Sequence, residues 1–327
     1  MSHFSVCVAI PSNKLEGIKI NDFEIENILE GILAPYDEAP MTREHLVFVD
    51  KTKECEAGYD KDTTRAVRFP NGTVHRLNDD EFRHRFKVRD DVILEEVNEN
   101  YMETEDSCRM KLLKSCPVNQ LYTFEEYCLK YCGYEQWEGG YGYWNNPNAR
   151  WDWFQIGGRF GGRFLVRNTA GDVLGGKAKG AANGFKFVNG ARMAEIAWKE
   201  QRKCEYDGAV ETYANLCEAF RTGNVQEFEP LATIRNDGIY SWTELLYKAD
   251  ETLEEYLDRV GVSATDRYPV SCYAFVDLDG AWHSHGDMGW FGIASNEKEA
   301  RAWHDEVQNF FASVGENDFL VMVDCHI

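Results

Sequence analysis

The closing run Phe319–His326 (FLVMVDCH) constrains this chain's fold more than any other stretch. It is apolar at consecutive positions from Phe319 to Val323. A strand there is buried on both faces and needs a layer above and below it. The other end of the chain supplies a matching run, His3–Ile10 (HFSVCVAI), closed by Pro11. Each run has a helix near it in sequence. Residues 22–33 carry Phe23, Ile25, Ile28, Leu29, Ile32 and Leu33 near helical spacing, with Asn21 or Asp22 as cap and Pro35 as terminator. Residues 297–314 place Ala300, Trp303, Val307, Phe310 and Phe311 on one face. Residues 45–50 (HLVFVD) and 270–277 (VSCYAFVD) read as further strands, and Asp279-Gly280 signals a hairpin into residues 281–285.

Strand–helix–strand at each terminus predicts an α+β fold in which both termini build a ferredoxin-like split βαβ sheet. Residues 1–50 and 265–327 form that terminal domain. Residues 51–264 form a large mixed α/β insertion, too long for a loop. Inside it, helices are expected at 79–106, 123–132, 191–203, 209–221 and 241–259.

Charge is distributed unevenly along this scaffold. The 327 residues hold 35 Lys and Arg against 56 Asp and Glu, a net charge of −21. Residues 145–203 alone carry +7, so the remainder carries −28, with −7 at 77–106 and −5 at 244–258. Such acidity argues against wrapping nucleic acid over the whole surface, where phosphates need cation contacts, and against adhesion to an anionic membrane. The first ten residues lack a basic leader segment, and no apolar run approaches a membrane span of about 18 residues. Ten cysteines without a single C-x2-C spacing read as reduced thiols of a cytoplasmic protein.

Three segments carry candidate chemistry. In residues 145–163 (NNPNARWDWFQIGGRFGGR), Trp151 and Trp153 offer rigid apolar surface, and Arg159 and Arg163 offer bidentate donors beside paired glycines. These four are the candidate binding residues. The competing interpretation is an aromatic-stapled corner in which an Arg pairs with Asp152. Residues 171–177 (GDVLGGK) satisfy G-x4-G-K, but Ala178 stands where a phosphate-binding loop needs Ser or Thr. His283-Ser284-His285-Gly286-Asp287 has ligand-like spacing, with His326 or His3 as possible additions; strand-end histidines capping a turn are the plainer alternative. G-x-S-x-G, H-E-x-x-H and readable carboxylate pairs are all missing. The expectation is therefore a protein that is not an enzyme and has no cofactor or metal.

Short blocks add a resemblance. They are Met1-Ser2-His3-Phe4; Asn146-Pro147-Asn148-Ala149-Arg150-Trp151-Asp152-Trp153 with Ile156-Gly157-Gly158-Arg159; Gly280-x-Trp282 with Met288-Gly289-Trp290; and Val323-Asp324-Cys325-His326-Ile327. As a set they resemble a family of bacteriophage proteins, from both ends to the centre. Among phage proteins, the chain resembles the Gabija anti-defence kind. That resemblance implies a homo-oligomer in the infected host cell that surrounds the Gabija nuclease complex and blocks its access to DNA. Two other functions stay open on the residues themselves. One is a nucleotide- or nucleic-acid-processing enzyme built on the basic Gly/Trp/Arg segment, with Arg159 and Arg163 holding phosphate and His283, His285 and Asp287 supplying metal or acid–base function. The other is a DNA mimic whose acidic helix carries Asp90, Asp91, Glu95 and Glu96.

Overall fold

The computed structural model describes residues 2–176, 184–225, 232–241, 245–289 and 292–327. The chain is α+β and divides into two compact units, Met1–Ala39 with Asn148–Ile327, and Pro40–Pro147. This division differs from the expected 1–50/265–327 and 51–264. The reason lies in residues 148–192, which return three strands to the sheet of the chain termini.

That sheet contains β1 (His3–Ile10), β2 (Trp153–Ile156), β3 (Val173–Leu174), β4 (Gly190–Arg192), β5 (Ala274–Val276), β6 (Trp282–Ser284) and β7 (Phe319–His326). Its order is β3-β4-β7-β1-β5-β6, with β2 also paired to β7. β1 and β7 run antiparallel along their whole length, from His3 opposite His326 to Ile10 opposite Phe319. The larger unit also holds α1 (Asp22–Leu33), α2 (Trp198–Thr222) and α3 (Ala300–Ser313). The Asn21 side chain accepts the Glu24 N–H at 3.1 Å and so caps α1.

Both faces of the sheet are covered, as the consecutive apolar run of β7 requires. On one face, Phe4, Val6, Val8, Val321 and Val323 pack with Ile25, Leu29 and Leu33 of α1. On the other, Cys7, Ala9, Leu320 and Met322 pack with Val307, Phe310 and Phe311 of α3. Each such aliphatic or Phe side chain contributes about 1.5–3 kcal/mol on full burial. β7 is therefore anchored from two sides.

The sheet departs from the expected ferredoxin-like order. A ferredoxin-like sheet pairs all its strands antiparallel, whereas β1 and β5 are immediate parallel neighbours, and β6 and β7, joined through α3, have both of them in between. α1 and α3 also cover opposite faces of the sheet rather than sharing one. Val47–Asp50, expected to follow α1 into this sheet, pairs with Gly140–Asn145 in the smaller unit. Its four residues are exposed or half-buried, unlike those of a strand covered on both faces.

In the smaller unit, the helix expected at 79–106 is mostly a three-stranded meander of Phe86–Arg89, Val92–Val97 and Asn100–Met102. Asp90-Asp91 and Asn98-Glu99 all have positive φ, which makes each pair a tight two-residue hairpin turn. The acids of the DNA-mimic idea are thus not on a helix. Asp91 pairs with Arg65 and Lys114, and buried Glu95 pairs with Arg85 and Thr104. Residues 123–132 are helical, opened by a Thr123–Glu126 capping box. The helices expected at 191–203 and 209–221 merge into α2, which Gly223 ends at φ +74°. Across 241–259 the chain forms the strand Leu245–Lys248 and then the helix Leu253–Arg259, with 242–244 outside the described residues.

Candidate functional site

The outer edge of β7 changes partner halfway along. Phe319, Leu320 and Val321 pair with β4, and Val323 to His326 pair with β2. Between them, Met322 accepts from the Gly157 N–H and donates to the Asn189 carbonyl, both at 2.8 Å. The chain must leave the edge sharply at this point, which is where Gly157-Gly158 stands. Both glycines have positive φ, +71° and +48°. A Cβ on Gly157 would lie 2.5 Å from the Asn189 side chain, and one on Gly158 would lie 2.4 Å from the Asp324 side chain. The turn that results aims the Arg159 N–H at Asp324 Oδ2, 2.8 Å away.

Asp324 is 2% exposed, and its second oxygen is 2.9 Å from His3 Nδ1. Two residues further along β7, His326 Nδ1 is 2.6 Å from Asp152 Oδ1. The register aligns Trp153, His326 and His3 in one row across β2, β7 and β1. Alternation of side chains places Asp324 on the same face as His326. The two imidazoles meet edge to face with centroids 5.0 Å apart, and Trp153 lies 6.1 Å from His3 and 6.4 Å from His326. Reciprocal 3.1 Å bonds between Ser2 and Ile327 lock the strand ends on which the histidines sit.

The chemistry follows from the partners. An ionised carboxylate only accepts, so each Nδ1 carries its proton and each neutral ring keeps Nε2 as an acceptor. The result is two oriented imidazoles, 16% and 14% exposed, beside an indole that is 48% exposed. A ring with its proton on Nδ1 can take one at Nε2, and a ring that has gained a proton at Nε2 can give it.

The four sequence candidates separate. Trp153 belongs to this site, and Arg159 contributes its backbone N–H. Trp151 is 7% exposed, packs in the α1 core and donates its indole N–H to the Leu33 carbonyl at 3.2 Å. Its role is structural. Arg163 lines a different cleft with Gln201 and Tyr268. Asp152 pairs with His326 rather than with an arginine.

His283 and His285 do not join the site. His283 sits between Asp277 at 3.0 Å and Glu306 at 3.4 Å and stacks on Phe275. His285 contacts the Lys298 carbonyl at 2.9 Å, and Asp287 accepts from Asn296. Among the described residues, no group of three or more His, Cys, Asp or Glu is arranged to hold a metal ion. Gly171 to Gly176 contain the two-residue strand β3, and Lys177 and Trp290 lie outside the described residues. A cleft of about 640 Å³ in the smaller unit is lined by charges already paired with one another: Arg76 with Asp79, and Lys130 with Glu126.

His3, His326, Asp152 and Asp324 were not legible as a site from their spacing. Yet all four lie in short blocks already marked in the sequence, and antiparallel pairing of the two termini brings those blocks together. No family model, curated protein or solved structure matches the chain. Among the described residues, no helix is long and apolar enough to cross a membrane.

Proposed function

We propose that the His3–His326 pair is an acid–base centre acting on a nucleotide or nucleic-acid phosphoester. The observation that carries this reading is the pair of Asp-oriented imidazoles with centroids 5.0 Å apart beside an exposed tryptophan. Trp153 supplies a stacking face for a base. The +7 charge of residues 145–203, within the −21 chain, favours an anionic ligand. One Nε2 takes the proton of the attacking hydroxyl or water as its oxygen bonds to phosphorus. The protonated partner gives its proton to the leaving oxygen as the P–O bond breaks. Positioned acid–base groups contribute about 10²- to 10⁴-fold each. Incubating the full chain with short RNA, short DNA and cyclic nucleotides tests this. Turnover that falls at least 100-fold in His3→Asn and in His326→Asn supports it; equal turnover in folded variants, or none on any substrate, refutes it.

A second reading, the oligomeric inhibitor of the host Gabija complex, draws on the smaller unit. Of the twelve exposed large apolar residues described, eight lie within Pro40–Pro147, among them Met41, Val47, Trp137 and Tyr143. Exposed apolar surface suits protein docking. Co-elution of the chain with the Gabija complex supports this reading, and separate elution at micromolar concentration removes it.

A further inference from the structure

A second, unrelated feature of the larger unit is a cleft of about 200 Å³ beside α2, lined by Arg163, Gln201, Ser263, Tyr268 and His304 among others. Arg163 is half-buried, and its Nε is enclosed with no hydrogen-bond partner among the described residues. Its guanidinium makes no ion pair among them either, although the chain has 56 acids. An enclosed N–H without an acceptor is costly, and the rest of this half-buried guanidinium faces the cleft unpaired, so the position favours an acceptor, best an anion, from outside the chain.

The surroundings hold Arg163 in place. Gln201 is fully buried; its amide donates to the Arg163 carbonyl at 2.8 Å and accepts the Leu165 N–H at 2.9 Å, clamping the backbone on both sides of Phe164. The Arg163 charge is felt inside the unit at Cys272. Burial pushes that thiol up to about 12, against the downward pull of a Cys7 hydrogen bond and of Arg163. Two acids also line the cleft. Asp266 is engaged by His304 at 3.5 Å, and Glu205 has an interaction of its own.

We propose that this cleft binds a small oxyanion, a phosphate or carboxylate group, on the Arg163 guanidinium. Arginine presents a planar fork that matches either group bidentately. The volume is below the roughly 300–1,000 Å³ of pockets for drug-sized ligands, so the occupant is a small molecule.

Titrating inorganic phosphate, and separately acetate, into the 15N-labelled full chain at constant ionic strength tests the proposal through the arginine Nε–H signals. A saturable shift of one signal is expected, and its disappearance in Arg163→Lys identifies it. Followed through the backbone amide signals of the cleft, Arg163→Gln should weaken binding at least tenfold, whereas Arg167→Gln should leave it unchanged. Saturation by phosphate alone, by acetate alone or by both identifies which oxyanion the cleft accepts. No saturable response to either anion, or binding retained in Arg163→Gln, overturns the proposal. The wild-type titration stands even if the Gln variant does not fold.

Discussion

Replacing Gly158 by alanine should damage both the fold and the site, through Asp324. The new Cβ would lie 2.4 Å from Asp324 Cβ and Oδ2, and the backbone there has φ +48°. The left-handed conformation costs an L-residue about 1–2 kcal/mol. Relieving the contact moves the turn and removes the Arg159 N–H bond to Asp324, a bond to a charged group worth about 1.5–3 kcal/mol. Together the loss is about 2.5–5 kcal/mol, a large part of the 5–15 kcal/mol that typically holds a protein folded. Urea unfolding measures it, with Gly208→Ala as control. Gly208 lies inside α2 with nothing near its Cβ position, so alanine there should stabilise by about 0.5–1 kcal/mol. NMR supplies the local readout: the carboxylate-bound Nδ1–H of His3 should be lost in Gly158→Ala, while that of His326 on Asp152 persists. A Gly158→Ala protein within 1 kcal/mol of wild type, with both signals intact, would refute this reasoning.

Glu251 accepts two bonds from Arg259, at 2.6 and 3.0 Å, and one from the Lys248 N–H at 2.9 Å. Burial alone would raise its carboxyl; Arg259 and the Lys248 N–H outweigh this and hold it below the ordinary value of 4.5. Its stabilisation is therefore full above that value and is lost as pH falls through the lowered one. Glu251→Ala should cost about 2–4 kcal/mol near neutral pH, and the difference from wild type should shrink in acid, as pH-dependent unfolding will show. Alkylation followed by mass spectrometry should label exposed Cys108 in the native protein. Cys7, Cys272 and Cys325, buried and with thiols pushed up by that burial, should react only on unfolding.

The elements that carry dense apolar runs were legible in the sequence. β1, β7, α1 and α3 form where periodicity and caps place them, because each must bury its own apolar face. Their arrangement was not. Whether β5 lies directly beside β1, and which face each helix covers, depends on packing between distant segments. The meander at 86–102 was hidden because Asp90-Asp91 and Asn98-Glu99 act as two-residue turns without glycine, and its acids suggested an exposed helix. The site was hidden by separation. His3 and Asp324 are 321 positions apart, and Asp152 and His326 are 174 apart, so no spacing rule links them. The glycines of Ile156–Arg159 were visible as a corner, but only the edge of β7 shows that this corner holds a carboxylate against a histidine.

The central claim is that His3, His326 and Trp153 form one ligand-facing centre. Titrating a ribodinucleotide into the protein with 15N-labelled histidines measures this most directly. The Nε2 signals of His3 and His326 should shift together on one saturation curve, and Trp153→Ala should weaken binding at least tenfold. If both signals stay fixed while the ligand binds elsewhere, or if none binds, the account is contradicted.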